Sequence, residues 1–343
     1  VALFPLIRPL LFSIEEEAAH RLTIASLKLM PAGRTEPHPR LRVRVAGLDF
    51  PNPIGVAAGF DKDAEVFGQI LRLGFGFTEV GTLTPQPQRG NPQPRLFRLA
   101  EDRAVINRMG FNNGGLEAAR ARLERRKRGG IVGINIGANK DSSDRIADYA
   151  MAARAMAPLG DYLTVNISSP NTPGLRALQD RGALDELLAA VMEARGDTPV
   201  FLKVAPDLER ADIDDIAAVA ADRRLDALIV ANTTISRPKL KSRSRDESGG
   251  LSGAPLKPLA LQRLRDFRSA TGGAMPLISA GGIGSGEDAF ERIRAGASLV
   301  QLYTALVYSG PGLARTMARD LRRLLRRHGF RNVAEAVGTD GLS

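Results

Sequence analysis

PLISAGGIGSGEDAFERIRAGASLVQLY, residues 276–303, decides the fold. An apolar run at 276–282 passes through a glycine-rich turn into a helix start, and the chain returns to a second apolar run at 298–303. Runs without polar alternation are strands buried on both faces, and a helix between two such strands is the crossover of a parallel pair. Towards the N-terminus the same rhythm recurs at 54–58, 75–82, 131–136, 162–167, 200–204 and 227–232. Helical patterns such as GALDELLAAVMEAR (182–195) and ADIDDIAAVAADRR (211–224) lie between these runs. Eight strand–helix units over about 250 residues predict an α/β fold, a (β/α)8 TIM barrel. An open doubly wound sheet is the alternative, and the count of eight favours closure.

Some pieces fall outside the rhythm. LRVRVAGLDFPNP (41–53) alternates and reads as a hairpin plugging the bottom of the barrel. The stretch 95–115 reads as a hairpin inserted on the top face, and 234–253, long, polar and rich in Gly and Ser, as a lid or mobile segment. Residues 1–40 form a separate helical extension before a barrel unit at 41–343. Leu3, Leu6, Ile7, Leu10, Leu11 and Ile14 share one helical face. Ser13–Glu16 resembles a capping box, and EEEAAHRLTIASLKLM (15–30) follows as a second helix. This extension is either a helical pair packed on the barrel or an interfacial membrane anchor with Arg8, Arg21 and Lys28 beside it.

Composition narrows the chemistry. The 343 residues include no Cys, which excludes disulfides, thiolate metal sites and a Cys nucleophile. Three His, at 20, 38 and 328, make a His-based metal site an unexpected one, so no metal is expected. No run reaches the roughly 18 apolar residues of a spanning helix, and no cleavage-site pattern marks a signal peptide. The formal charge of +10 suits nucleic acid, an anionic membrane surface or anionic substrates. The Arg-rich stretches ARARLERRKRG (119–129) and ARDLRRLLRRHG (318–329) lack interleaved aromatics, so nucleic acid is not expected as a partner.

The polar residues gather at the C-terminal ends of the strands, where a barrel builds its active site. Gly281 and Gly282 let backbone N–H groups approach an anion at units seven and eight. Thr82, Asn135, Asn166, Ser169, Asn171, Asn232 and Thr233 supply amides and hydroxyls, and Lys62 and Lys203 supply positive charge. Asn both donates and accepts, which suits a planar ligand with C=O and N–H edges, a flavin or a pyrimidine. A strand-end Lys can also form a Schiff base, which leaves an aldolase-type barrel open.

Ten motifs, in order, resemble the dihydroorotate dehydrogenase family. They are AAGFDKDAE (57–65), GTLTPQPQRGNPQPRLFRL (81–99), INRMGFNNGG (106–115), GINIGANKD (133–141), VNISSPNTPGLR (165–176), LKVAPDL (202–208), ANTT (231–234), GGLSG (249–253), SAGGIGS (279–285) and GASLVQLYTAL (296–306). The SSPNTPGLR loop and the helical extension resemble the membrane-associated, quinone-reducing class. The resemblance implies oxidation of (S)-dihydroorotate to orotate in pyrimidine synthesis, with FMN as hydride acceptor and ubiquinone as final electron acceptor. It implies Ser169 as the base, where the soluble classes use a Cys. It implies substrate contacts from Lys62, Asn107, Arg108, Met109, Gly110, Phe111, Asn166, Asn171, Asn232 and Thr233. FMN would meet Ala58, Gly59, Thr82, Asn135, Asn166, Lys203, Ala231, Gly253, Gly282, Tyr303 and Thr304, with the phosphate on the backbone of the last four. Ala231 departs from the Thr that many members carry before this NTT motif; a backbone contact survives that change and a hydroxyl contact does not. His20, Arg98 and Tyr303 match the polar positions of the quinone tunnel. The resemblance also implies a monomer held peripherally on the cytoplasmic face of the inner membrane by residues 1–30.

Overall fold

The computed structural model describes residues 4–340; Leu3 of the expected apolar face lies outside them. Two helices come first, α1 (Phe4–Ser13) and α2 (Glu16–Lys28), then a hairpin, β1 (Val43–Val45) and β2 (Leu48–Phe50). Eight parallel strands close a barrel: β3 (Ile54–Asp61), β4 (Phe77–Leu83), β7 (Ile131–Ile136), β8 (Tyr162–Asn166), β9 (Val200–Val204), β10 (Ala227–Val230), β12 (Leu277–Ala280) and β13 (Ala297–Leu302). They pair in chain order, and β13 closes on β3 with Val300 opposite Ile54 and Leu302 opposite Val56. The intervening numbers belong to the top cap, β5 (Leu96–Leu99), β6 (Ala104–Asn107) and β11 (Gly250–Gly253). Every expected run is a barrel strand, and closure decides against the open sheet.

The outer helices are α3 (Phe67–Arg72), α4 (Gly115–Leu123), α5 (Arg145–Met156), α6 (Arg181–Ala194), α7 (Arg210–Asp222), α8 (Lys257–Ala270), α9 (Gly286–Arg294) and α11 (Leu313–Arg327), with short α10 (Thr304–Ser309) and α12 (Val333–Ala336). Their starts are written locally. Asp144 accepts from Ala147 N to open α5, and Ser285 accepts from Asp288 N to open α9. In α6 the buried Leu184, Leu187, Leu188 and Val191 recur at helical spacing and pack on the sheet.

The β1–β2 hairpin plugs the bottom as expected. Leu41, Val43, Val45 and Phe50 share one buried cluster with Phe77, Tyr162, Phe201 and Ile229 of the barrel. Phe50 meets Phe77 edge-on at 5.2 Å, and Tyr162 stacks on Phe201 at 4.3 Å. A barrel filled by side chains below leaves room for a ligand only above.

Two expectations need correction. Ser13 caps nothing on α2: its hydroxyl donates to Leu10 O at the end of α1. The cap is Glu15, whose carboxylate accepts from Glu17 N and Ala18 N. The segment 234–253 is not simply a loose lid, because β11 pairs antiparallel with β6 and completes a three-stranded cap. Leu251 is fully buried, and Asp102 anchors the middle of the segment by accepting from Lys241 N and Ser242 N at 2.9 Å.

The two helices of the N-terminal pair differ in how they pack: α2 lies on the barrel, as one of the two expectations has it, and α1 stays exposed. α2 buries Ile24 and Leu27 in the same cluster as Ile54 and Val56 of the barrel wall and Ile70 of α3. α1 buries no residue, and Leu6 (77% exposed) and Leu10 (69%) face outwards. Among the described residues no helix is long and apolar enough to cross a membrane.

Candidate active site

One cavity of about 910 Å³ runs from the C-terminal ends of the barrel strands, under the top cap, to the cleft between α1 and α2. Of the residues expected at the site, all but Arg108 and Asn135 line it.

Its floor is a polar network inside the barrel. Glu79, fully buried on β4, accepts from Asn135 Nδ2 (2.7 Å), Gln301 Nε2 (2.8 Å), Thr164 Oγ1 (3.0 Å) and Tyr162 OH (3.2 Å). A carboxylate that only accepts fixes the orientation of its partners. Asn135, having spent its amide N–H on Glu79, turns Oδ1 towards Thr82 Oγ1 (2.5 Å) and Asn166 Nδ2 (3.1 Å), both donating. Asn166 Oδ1 is thereby aimed at Ser168, whose hydroxyl donates to it at 2.8 Å. Ser168 Oγ in turn accepts from Asn232 Nδ2 at 2.8 Å. Asn135 is thus a buried strut beneath the cavity that holds Thr82 and Asn166, both of which line it.

The loop after β8 separates its two serines. Ser168 is consumed by this network, whereas Ser169 lines the cavity and its Oγ only accepts, from Asn171 N at 3.3 Å. Thr172, three residues on, is buried with no protein partner for its hydroxyl. Asn171 Nδ2 donates to Asn107 Oδ1 at 3.2 Å, tying the loop to the cap. Arg108, next to Asn107, points away: it pairs with Glu247 at 2.8 Å, donates to Pro94 O and lies over the Phe97 ring.

Two lysines face the cavity. Lys62 donates to Gly59 O at 2.8 Å, and desolvation pushes its ammonium down to about 8. Lys203 is buried on β9; desolvation lowers its pKa, and the Glu79 carboxylate opposes that shift.

At the far side the wall is backbone. A Cβ on Gly282 would sit 2.4 Å from Lys257 Cα, and one on Gly253 would sit 2.4 Å from Arg103 O. Both glycines have positive φ, so a side chain fails there twice over. Tyr303, Thr304 and Gly281 complete this cup.

Towards the helices the cavity turns apolar, with Ile7, Leu11, Leu22, Leu27 and Met30 in its walls. His20 Nδ1 lies 3.3 Å from Tyr303 OH, and the His ring meets Phe60 edge-on. Desolvation pulls His20 down to about 3, so the imidazole is neutral at physiological pH, and Tyr303 is raised by the same cause. Arg98 donates to Phe12 O at 3.0 Å and lies over the Phe12 ring, which fastens α1 to the cap.

Sequence reasoning missed three groups. Glu79 and Gln301 were signalled only as lone polar residues within apolar strand runs. The Glu17–Arg95 pair joins α2 to the cap at 2.7 Å, nearly excluded from water, and its hydrogen bonds hold Glu17 down to about 2. Arg95 also donates to Asn91 O, and Asn91 Nδ2 donates to Asn171 O, so the clamp reaches the Ser169 loop.

A family model described as dihydroorotate dehydrogenase matches residues 40–325. The chain is 66% identical to a dihydroorotate dehydrogenase (quinone) of Erythrobacter litoralis, covering 98% of this chain and all of the relative. It is 64% identical to one of Novosphingobium aromaticivorans, covering 98% and 99%. Among solved structures it resembles a DHODH of Eimeria tenella in complex with ferulenol. There the TM-score is 0.92, with 40% identity and coverage of 97% of this chain and 99% of that one. The ligand-free form of the Eimeria protein gives a TM-score of 0.89 with 42% identity over 95% of this chain and 99% of that one.

Proposed function

The chain belongs to the dihydroorotate dehydrogenase family, in its quinone-dependent class, and from that premise we propose how the cavity described above oxidises (S)-dihydroorotate to orotate and passes the electrons to a quinone. The reaction is the oxidative step of pyrimidine synthesis. The observation that carries the proposal is continuity: Ser169, the lysines, the glycine cup and the His20–Tyr303 pair line a single space.

The family is flavin-dependent, and the flavin here is FMN. The cup formed by Gly253, Gly282, Tyr303 and Thr304 suits a phosphate, since its glycine backbones line the cavity and pack straight onto the Lys257 and Arg103 backbones behind them, leaving main-chain N–H groups as the natural partners of an anion. Ala58, Gly59, Thr82, Asn166, Lys203 and Ala231 would line the ring, with Asn135 holding Thr82 and Asn166 from below. Family membership sets aside a Schiff base on Lys203. When bound, FMN supplies the acceptor for the substrate's hydride.

Ser169 takes the proton from the neighbouring substrate carbon. A serine hydroxyl is a weak base and needs a second group to receive its own proton. The unpartnered Thr172 hydroxyl, or a water beside it, is the candidate. Pro170 and Pro173 stiffen the loop and limit the entropy of holding Ser169 in line. Lys62 and the amides of Asn107, Asn171 and Asn232 hold the substrate and oppose the negative charge that develops as the proton leaves. Met109, Gly110, Phe111 and Thr233 shape the pocket around it. Arg108 acts through Glu247 and the cap rather than by side-chain contact.

Residues 1–40 serve the quinone and the membrane, and 41–343 the flavin and the substrate. A ubiquinone enters between α1 and α2, and His20, Arg98 and Tyr303 supply its polar contacts. The exposed Leu6, Ile7, Leu10, Leu22 and Leu29 support peripheral attachment to a membrane surface, and the cytoplasmic face of the inner membrane is the proposed location. The working unit is taken to be a monomer.

Anaerobic stopped-flow absorbance tests both halves. Dihydroorotate should bleach the flavin band, and a quinone should restore it. A colourless protein that takes up no FMN would refute the proposal, and bleaching without recovery would refute the quinone half.

A further inference from the structure

Arg292, on α9, is the bulkiest fully buried side chain among the described residues. Its Nη2 donates to Lys257 O (2.8 Å) and Gly281 O (3.1 Å), its Nη1 donates to Ser279 Oγ (3.2 Å), and its Nε has no partner. No carboxylate among the described residues lies within ion-pair distance of it. Burial pushes the guanidinium down to about 10, the direction expected of a cation removed from water. A guanidinium so placed is costly unless something nearby makes use of its charge.

The two carbonyls it grips belong to two segments that pack directly against each other at the glycine cup. Gly281 opens the turn after β12, and Lys257 opens α8, whose backbone a Cβ on Gly282 would strike. Beside them, Lys257 Nζ pairs with Asp288 (2.6 Å) and Glu291 (3.0 Å), and Gly284 N donates to Asp288 Oδ2. The cluster behind the cup therefore holds two carboxylates and two cations. Without Arg292 the carboxylates would outnumber the cations, and a phosphate dianion would be presented to a net negative wall.

We propose that Arg292 is a positioning residue for the flavin phosphate: it bolts the Gly281 and Lys257 backbones into one cup and supplies the buried positive charge that lets the cup accept a dianion. The inference rests on the FMN reading above. It assigns the phosphate end of the site a charge that never touches the ligand.

Riboflavin, which lacks the phosphate, separates this role from general support of the fold. Protein stripped of flavin is titrated with FMN and with riboflavin, following flavin fluorescence. In Arg292→Met, FMN affinity should fall about tenfold or more while riboflavin affinity changes by less than about threefold. Arg292→Lys, which keeps the charge, should recover most of the preference for FMN. Glu291→Gln removes a partly exposed carboxylate from the same cluster and should shift the preference the other way, towards FMN. Equal losses of FMN and riboflavin in Arg292→Met would overturn the inference. Should that variant fail to fold, an unchanged or reduced preference in Glu291→Gln would do the same. If the unmodified chain binds neither flavin, the FMN reading itself falls, a result distinct from equal losses in the variant.

Discussion

Replacing Glu79 by Gln changes one atom of the barrel interior and sets two hydrogen-bond donors against each other. The carboxylate receives four donors. If the new carbonyl keeps Tyr162, Thr164 and Gln301, the new amide N–H₂ faces Asn135 Nδ2, so Asn135 must flip or lose its bond. A flipped Asn135 presents Nδ2 to Asn166 Nδ2, which had been donating to Oδ1. Flipping Asn166 as well only moves the conflict to Ser168, whose backbone N–H and hydroxyl both donate to Asn166 Oδ1. At least one buried donor is left unsatisfied, at about 1–3 kcal/mol, and the remaining bonds lose their charge assistance, so a total of roughly 2–4 kcal/mol is expected. For a chain of 343 residues that corresponds to a Tm lower by about 3–6 °C. Calorimetry of both proteins, with orotate titrated against the flavin spectrum, measures the loss and its reach into the Asn166–Ser168–Asn232 chain. A Glu79→Gln protein as stable as the parent, with unaltered orotate affinity, would refute the claim that this carboxylate orients the amides above it.

Three further outcomes are expected. Ser169→Ala should retain flavin and slow its reduction by dihydroorotate about 10²–10⁴-fold; anaerobic stopped-flow rates near the parent's would remove Ser169 from the role of base. Glu17 has a folded-state pKa of about 2 against an ordinary 4.5, so its pairing with Arg95 stabilises the fold above about 4.5 and that contribution fades as pH falls towards 2. The stability gap between the parent and Glu17→Gln, followed by denaturation from pH 7 to pH 2, should close over that window; a constant gap would contradict it. Leu6→Glu with Leu10→Glu should weaken binding to anionic vesicles about tenfold or more while leaving flavin reduction by dihydroorotate intact. Undiminished vesicle sedimentation would argue against α1 as the attachment face.

The Glu79 network shows where local pattern stops. Continuous apolar runs and helical spacing are properties of neighbours in the chain, so the eight strands, their order and the bottom hairpin were all readable from the sequence. The expected site residues sit at strand ends and in the loops that follow, and closure of the barrel carries nearly all of them to one cavity, because parallel strands place their C-terminal ends on one face. Local pattern misled at Ser13, where a plausible cap loses to Glu15 two residues later. It misled again over 234–253, where composition is polar but Leu251 finds a strand to pair with.

Contacts between distant positions were decided by tertiary structure alone. Gln301 lies 222 residues from the Glu79 it donates to, and Arg95 lies 78 from Glu17. Whether Arg108 turns inwards or outwards depends on Glu247, 139 residues away. A side chain's partner, and hence its orientation and ionisation, is set by whatever the closed barrel brings within about 3 Å. Periodicity determined which residues face inwards; only the folded chain determined which inward polar groups meet, and therefore which serine faces the cavity and which is spent holding it open.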